Sequence, residues 1–165
     1  MFSADDLLEE NPRHKFERIL ASRCRTGDAF ALMLVDLEDF AGLRARVGPR
    51  AGDLLLYEVT ARLRDKLDEQ ALLTRSGRSE FAVLVRGMDD VARAERLAGA
   101  LIERLESPIS VSGTRFRLSG SIGISLFPRD GNQWHALLEN ADAAVFDAKM
   151  IGRGRISVSF APPKV

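Results

Sequence analysis

The sequence predicts an α+β domain of the ferredoxin-like arrangement, with a central, mostly antiparallel sheet and helices packed against one of its faces. Apolar residues recur with a period of two in some short segments and with a period near four in longer ones, which separates strands from helices. The segments follow the order helix and then β-α-β-β-α-β-α-β, and a β-α-β-β-α-β run is typical of this arrangement. The chain has 165 residues, of which 45% are hydrophobic, as expected for a single packed domain.

The first half of the chain supplies a helix, a strand, a second helix and a hairpin. An N-terminal helix is predicted around residues 13–25. The continuous apolar run over residues 30–35 is short enough for a buried strand. Apolar residues then recur every fourth position over residues 51–67, which indicates one face of a helix. Two short runs, at residues 72–75 and 81–86, are separated by five turn-forming residues and predict a β-hairpin.

The second half adds two helices and two strands. Residues 94–105 form an amphipathic pattern that ends at a Ser-Pro pair, which indicates a helix and its end. Residues 116–127 alternate most regularly, and predict a strand with one apolar face and one small or polar face. A further helix is predicted over residues 134–148, closed by Gly152, and a last strand over residues 155–160. In a ferredoxin-like sheet the first strand lies beside the hairpin, so Asp36 is expected to approach the hairpin turn.

Charge and composition exclude several classes of protein. The chain has 24 basic residues (lysine and arginine) and 24 acidic residues (aspartate and glutamate), so the net charge is zero. Binding to nucleic acid or to an anionic membrane needs a positive field that this balance does not supply. The single cysteine, Cys24, excludes a disulfide framework and a cysteine-based zinc site. No apolar run approaches the roughly 20 residues of a membrane span and no signal peptide is evident, so we expect a cytoplasmic protein.

An acidic group follows the first predicted strand. Asp36, Glu38 and Asp39 come directly after the apolar run. Carboxylates at the end of a buried strand can hold Mg²⁺ over a nucleotide triphosphate, because Mg²⁺ binds oxygen ligands and phosphates. The alternative is structural: Asp36 caps the next helix and its neighbours favour the positive helix N-terminus. From these residues alone, both interpretations stay open.

Five short motifs occur in a fixed order along nearly the whole chain. They are LVDLEDF at 34–40, GPRAGDLL at 48–55, RSGRSEF at 75–81, SIGIS at 121–125 and ADAAVFDAK at 141–149, with Gly152 and Arg153 after the last. Each is weak alone, but together they resemble the GGDEF domain of the diguanylate cyclases, which condense two GTP into cyclic di-GMP. The resemblance implies a sheet of the nucleotide-cyclase and polymerase palm type, with Mg²⁺ as cofactor of any turnover.

The signature of the family is altered in this chain. Gly-Gly-Asp/Glu-Glu-Phe is represented by Gly77, Arg78, Ser79, Glu80 and Phe81. The resemblance implies that the third position carries an acidic metal ligand, paired with the aspartate that matches Asp36. Ser79 is neutral there, and the second glycine is Arg78. Losing one carboxylate removes an attraction of about 4 kcal/mol per unit charge at about 4 Å and an effective dielectric constant near 20. The metal site is therefore predicted to be vestigial.

The nucleotide-binding positions are only partly retained. The resemblance implies that an asparagine and an aspartate recognise guanine. Asp53 matches the aspartate, but the asparagine position is Arg44, which only donates hydrogen bonds. Lys149 and Arg153 match a basic pair that contacts the triphosphate, although both also suit a helix C-terminus as ordinary cations. Two arrangements stay open: Arg44, Lys149 and Arg153 cluster with Arg78 around the triphosphate position, or these cations lie on separate solvated surfaces.

These observations favour a degenerate, non-catalytic GGDEF domain that acts as a regulatory or interaction module in cyclic di-GMP signalling and requires no cofactor. Two alternatives remain: a diguanylate cyclase of full or weak activity that uses Asp36 and Glu80 for Mg²⁺, and a GTP-binding allosteric module without turnover. Expected partners are weakly bound GTP, a downstream EAL-type domain or other signalling protein, and a second copy of the chain, but no nucleic acid or membrane. We expect a helical lead-in at 1–28, the GGDEF-like domain at 29–160 and a linker or tail at 161–165.

Overall fold

The computed structural model describes residues 11–152 and 154–159. Its elements, in chain order, are α1 (Pro12–Thr26), β1 (Phe30–Leu37), α2 (Phe40–Val47), α3 (Pro49–Arg64), β2 (Ala71–Arg75), β3 (Glu80–Arg86), α4 (Val91–Glu106), β4 (Ile109–Val111), β5 (Thr114–Phe116), β6 (Gly120–Phe127), α5 (Trp134–Ile151) and β7 (Ile156–Val158). In this part of the chain, no helix combines the length and the apolar character that crossing a membrane would require.

The main sheet confirms the predicted fold class. Its strand order is β2-β3-β1-β6-β7. β1 is antiparallel to both β3 and β6, β2 is antiparallel to β3, and β7 is parallel to β6. The predicted neighbourhood of the first strand and the hairpin is also confirmed, because Asp36 lies opposite Glu80 in the register. The architecture is therefore α+β, with a mixed central sheet flanked by helices.

Helices cover both faces of the sheet, so the expectation that they occupy one face is wrong. Met33 and Val35 face the core shared with α3 and α4, whereas Leu32 and Leu34 face a second core shared with α1 and α5. All four side chains are fully buried. Because successive residues of a strand point to opposite faces, an unbroken apolar strand requires cover on both sides.

The predicted strand over residues 116–127 differs from the structure in two respects. Its first residues belong to a separate β4–β5 hairpin, and β6 begins only at Gly120. Its small and polar face is buried as well as its apolar face. A Cβ atom on Gly123 would lie 2.3 Å from the Ala141 carbonyl oxygen, and the Ser125 hydroxyl donates to the Leu137 carbonyl at 2.9 Å. Small residues are needed here because α5 lies directly against the strand.

The helices after β1 also differ from the prediction over residues 51–67. The chain forms the short α2 and then α3, which starts at Pro49 and ends at Arg64. Gly48 joins them with a φ of 87°, a left-handed value that favours glycine. The remaining predicted helices and the hairpin are confirmed, with ends that move by a few residues.

The ends of the chain are only partly described. Phe16 and Leu20 of α1 are fully buried in the second core, so α1 packs as part of the folded body. Residues 1–10 and the predicted tail at 161–165 lie outside the described residues, as does residue 160 at the end of the last predicted strand. The division into 1–28, 29–160 and 161–165 stays a prediction.

Candidate functional site

The end of β1 and the β2–β3 turn form the centre of the candidate site. The Leu37 N–H donates to the Ser79 carbonyl at 2.9 Å, which extends the β1–β3 ladder into the turn. Within the turn, the backbone N–H groups of Ser76 and Gly77 both donate to the Glu80 carbonyl. The structure thus brings together the signature turn and Asp36, as the sequence predicted.

Asp36 is ion-paired with the lysine of α5. Lys149 Nζ lies against Asp36 Oδ2, and the Asp36 side chain is 19% exposed. The hydrogen bond to Asp36 raises the pKa of Lys149 above its ordinary value, which keeps the lysine charged. The capping alternative for Asp36 is wrong, because Asp39 is the N-cap residue of α2. A positive charge from the chain itself therefore neutralises the carboxylate that matches the family's metal ligand.

Glu80 is held in a separate network that includes a residue of α1. The Ser76 hydroxyl donates to Glu80 Oε1 at 2.7 Å, and Arg13 Nη1 donates to the same oxygen at 3.2 Å. Burial raises the pKa of Glu80, and the negative charges of Asp142 and Asp36 raise it further. The hydrogen bond from Ser76 and the positive charge of Arg13 lower it. Glu80 is thus a partly buried carboxyl group, bound by its own hairpin and by α1.

Arg13 joins three elements at this point. Besides Glu80, its guanidinium lies 3.6 Å from Asp142 Oδ2 on α5 and 3.4 Å from Glu17 Oε1 on α1. Burial also raises the pKa of Asp142. Sequence reasoning did not assign Arg13 or Asp142 to the site. No local pattern relates residue 13 to residue 80, since the packing of α1 against the sheet creates their contact.

The carboxylates that the resemblance offers to a Mg²⁺ ion are already engaged by other side chains of this chain. Asp36 is engaged by Lys149, Ser79 supplies no carboxylate, and Glu80 accepts hydrogen bonds from Ser76 and Arg13. Over residues 11–152 and 154–159, no group of three or more histidine, cysteine, aspartate or glutamate side chains is placed to hold a metal ion. Mg²⁺ usually binds through one or two carboxylates plus phosphates, and here the candidate carboxylates already have other partners.

A cleft of about 580 Å³ lies between α2, the start of α3 and the hairpin turn. Arg44 and Arg78 both line it, together with Ser79. Arg44 Nη2 forms an ion pair with Asp53 Oδ1 at 2.8 Å. The arginine lies over Gly52, where a Cβ atom would be 2.7 Å from Arg44 Cγ. Asp53, the aspartate retained at the predicted guanine-binding position, is therefore ion-paired with Arg44, which stands at the asparagine position.

The predicted cluster of four cations is only partly covered by the described residues, and it stays a prediction. Arg44 and Arg78 share the cleft, but Lys149 is paired with Asp36. Arg153 lies outside the described residues. Of the other signature residues, Gly77 is in the turn, and Phe81 is a core residue with 1% of its surface exposed.

Comparisons with known proteins identify the family of the chain. The model of the family described as diguanylate cyclase, GGDEF domain, matches residues 11–155. The bifunctional diguanylate cyclase/cyclic di-GMP phosphodiesterase MucR of Pseudomonas aeruginosa is 37% identical over 139 residues, which are 84% of this chain and 20% of MucR. The chain also spans 32% of the length of the diguanylate cyclase TpbB of the same species.

Solved structures show the same fold. The crystal structure of the TpbB GGDEF domain from Pseudomonas aeruginosa has a TM-score of 0.84 and 33% identity, and the match covers 91% of this chain and 96% of that one. An EAL/GGDEF domain protein from M. capsulatus has a TM-score of 0.80 and 28% identity, covering 89% of this chain and 94% of that one. Fold, motif order and sequence identity agree, and the chain belongs to the GGDEF domain family of the diguanylate cyclases.

Proposed function

We propose that this chain is a non-catalytic GGDEF domain that serves as a regulatory or interaction module in cyclic di-GMP signalling. The observation that carries the proposal is Ser79, which replaces the acid in the signature turn next to Asp36, while Lys149 engages the remaining carboxylate. A metal ion at this position would have to displace the lysine. It would then find one carboxylate where active relatives of the family offer two.

The missing carboxylate weakens the attraction for a metal ion by an energy that is large compared with the binding free energy of a weak metal site. A missing unit charge at about 4 Å changes the attraction by about 4 kcal/mol at an effective dielectric constant near 20. Glu80 does not compensate, because burial raises its pKa and its carboxyl already accepts from Ser76 and Arg13. The charge arrangement therefore favours the internal lysine over a divalent ion.

The residues at the guanine-recognition positions also disfavour binding of GTP. Arg44 occupies the asparagine position and forms an ion pair with Asp53, which uses the carboxylate that would otherwise accept hydrogen bonds from guanine. Any nucleotide in the 580 Å³ cleft would meet Arg44 and Arg78. Guanidinium groups pair well with phosphate oxygens but offer no acceptor for a guanine amino group.

A regulatory role is supported by the setting of the relatives. MucR carries both cyclase and phosphodiesterase in its name, and the matched region is a fifth of its length. The M. capsulatus neighbour is described as an EAL/GGDEF domain protein. We infer that the partner of this domain in a longer protein is an EAL-type phosphodiesterase domain, on which a GGDEF domain without turnover can act by contact.

Two measurements separate this proposal from its alternatives. Incubation with GTP and Mg²⁺, followed by chromatography, should yield no cyclic di-GMP above a no-protein control; product formation would favour an active cyclase. Calorimetry should show weak GTP binding that is nearly independent of Mg²⁺ and falls steeply with added salt, since exposed phosphate contacts are screened. Tight, Mg²⁺-dependent binding would instead indicate an intact nucleotide site.

A further inference from the structure

Among the described residues, the outer edge of β2 pairs with no other strand. β2 ends the five-stranded sheet, as far as the described residues extend. Its sequence, ALLTR, contains no proline and places its one charge at the last position. Natural proteins commonly protect such edges with prolines, bulges or central charges, because an exposed edge pairs readily with another strand.

The hydrogen-bond pattern identifies which backbone groups of β2 face outward. The Arg86 N–H donates to the Gln70 carbonyl and the Ser76 N–H donates to the Glu80 carbonyl, so even-numbered residues of β2 bond to β3. In an antiparallel ladder these positions alternate with residues whose polar groups point away. The N–H and C=O of Leu73 therefore face the open edge.

A strongly basic groove runs beside this edge. A cleft of about 750 Å³ lies between α1 and β2, and Lys15, Arg18, Arg23, Arg25 and Leu72 are among its lining residues. No acidic residue contributes to the lining of this cleft, whereas a second cleft, which shares Leu72 and includes Leu73, is lined by Asp68 and Arg64. Lys15, Arg23 and Arg25 have no ion-pair partner among the described residues. In a chain of zero net charge, the sequence of α1 contains five lysine or arginine residues and a single glutamate.

We propose that this edge and groove bind an extended, acidic segment of a partner protein, which adds to the sheet as a strand next to β2. The backbone groups of Leu73 would supply the pairing, while the α1 cations would select acidic side chains on the bound strand. The charge of the groove disfavours a basic segment, and the open ladder suits an extended backbone. The lining of the groove contains no residue of the signature turn, so the inference does not depend on whether that turn supports turnover.

Peptide binding to the full chain tests the proposal. The probe is a fluorescent peptide of about ten residues, a typical upper length for a strand, in which glutamate and valine alternate. A lysine-valine peptide and a single-stranded oligonucleotide are the comparisons, followed by fluorescence anisotropy. The acidic peptide should bind tightest. Equal or tighter binding of the basic peptide would overturn the proposal, and tighter binding of the oligonucleotide would overturn it in favour of nucleic acid.

Charge reversal locates the site. Lys15→Glu with Arg25→Glu should weaken binding of the acidic peptide at least about tenfold, a change of about 1.4 kcal/mol. The matched control is Arg93→Glu with Arg96→Glu, two exposed arginines of α4 that make the same change in net charge. The control should leave binding within about twofold of the wild-type value, because α4 packs on the opposite face of the sheet from α1 and its exposed charges are screened. Equal weakening by both pairs would contradict the proposed location.

Amide hydrogen exchange on the wild-type protein tests the strand pairing without any variant. Saturating acidic peptide should slow exchange of the Leu73 amide at least about tenfold, since a new hydrogen bond protects it. The Thr74 amide, which already bonds within the β2–β3 ladder, should change little and serves as the internal control. Unchanged exchange at Leu73 in the saturated complex would overturn strand addition.

Discussion

Replacement of Lys149 by methionine removes the cation from Asp36 while keeping most of the aliphatic stem. The Asp36 side chain is 19% exposed and the Lys149 side chain 41%. Exposed ion pairs contribute up to about 1 kcal/mol, whereas loss of one partner from a fully buried pair costs about 3–5 kcal/mol. Because Asp36 and Lys149 are half-buried, we expect a loss between these limits, about 2 kcal/mol in the free energy of unfolding. For a domain of this size that corresponds to a fall in Tm of about 4–8 °C.

The assay is urea or thermal unfolding in a double-mutant cycle with Asp36→Asn. Removing both partners should cost less than the sum of the two single changes, with a coupling of about 1–2 kcal/mol. Because the hydrogen bond to Asp36 raises the pKa of Lys149, this stabilisation is fully present below the unfolded pKa of lysine. It is lost as the pH rises through the folded pKa of Lys149, so measurements at neutral pH report the stabilisation by the charged lysine.

The exposed residue Lys66 supplies the matched control. Lys66→Met should change the free energy of unfolding by less than about 0.5 kcal/mol, as is usual for surface substitutions. If Lys149→Met is no more destabilising than Lys66→Met, or if the coupling to Asp36 is within error of zero, the ion pair does not neutralise Asp36. Lys149 would then not take the place of a metal ion at Asp36.

Three further predictions concern the signature turn, the buried carboxyl and the close contact of α5 with β6. Ser79→Asp alone should not restore cyclic di-GMP synthesis, because Arg78 would pair with the new carboxylate and Arg44 would still engage Asp53; robust turnover of this variant would contradict the prediction. Since burial raises the folded-state pKa of Glu80, wild-type stability should rise relative to Glu80→Gln as the pH falls from neutral through that pKa, and parallel stability curves would disprove it. Gly123→Ala should destabilise the protein by about 3 kcal/mol, because the new Cβ atom would overlap with the Ala141 carbonyl. The control is Gly99→Ala on α4, which has open space around it and should be neutral or stabilising by up to about 1 kcal/mol. Equal effects of the two variants in chemical unfolding would show that α5 shifts to accommodate the methyl group.

The position of the candidate site could be predicted from sequence because it depends on strand order. The apolar run that ends before Asp36 and the hairpin signal around Gly77 are both local patterns. The β-α-β-β-α-β order then places their ends side by side, and the register confirms Asp36 opposite Glu80. The replacement of the signature acid by Ser79 is likewise visible in the sequence alone.

The partners of the site side chains could not be predicted in the same way. The resemblance relates Lys149 to a triphosphate, whereas its contact with Asp36 follows from the packing of α5 and from no local pattern. Arg13 reaches Glu80 only because α1 covers the second face of the sheet. Periodicity shows which face of a helix is buried, but not which face of the sheet receives it. That choice decided both the second core and the contacts of Arg13.

The most direct test of the central claim is the quantity of cyclic di-GMP that the purified chain forms from GTP and Mg²⁺. The GGDEF domain of TpbB, which has the same fold and whose full-length protein is named a diguanylate cyclase, provides the comparison under identical conditions. We predict no product above the no-protein control from this chain at any GTP concentration tested. Cyclic di-GMP that accumulates in proportion to protein and time would contradict the account and show that Asp36 binds the metal despite Lys149.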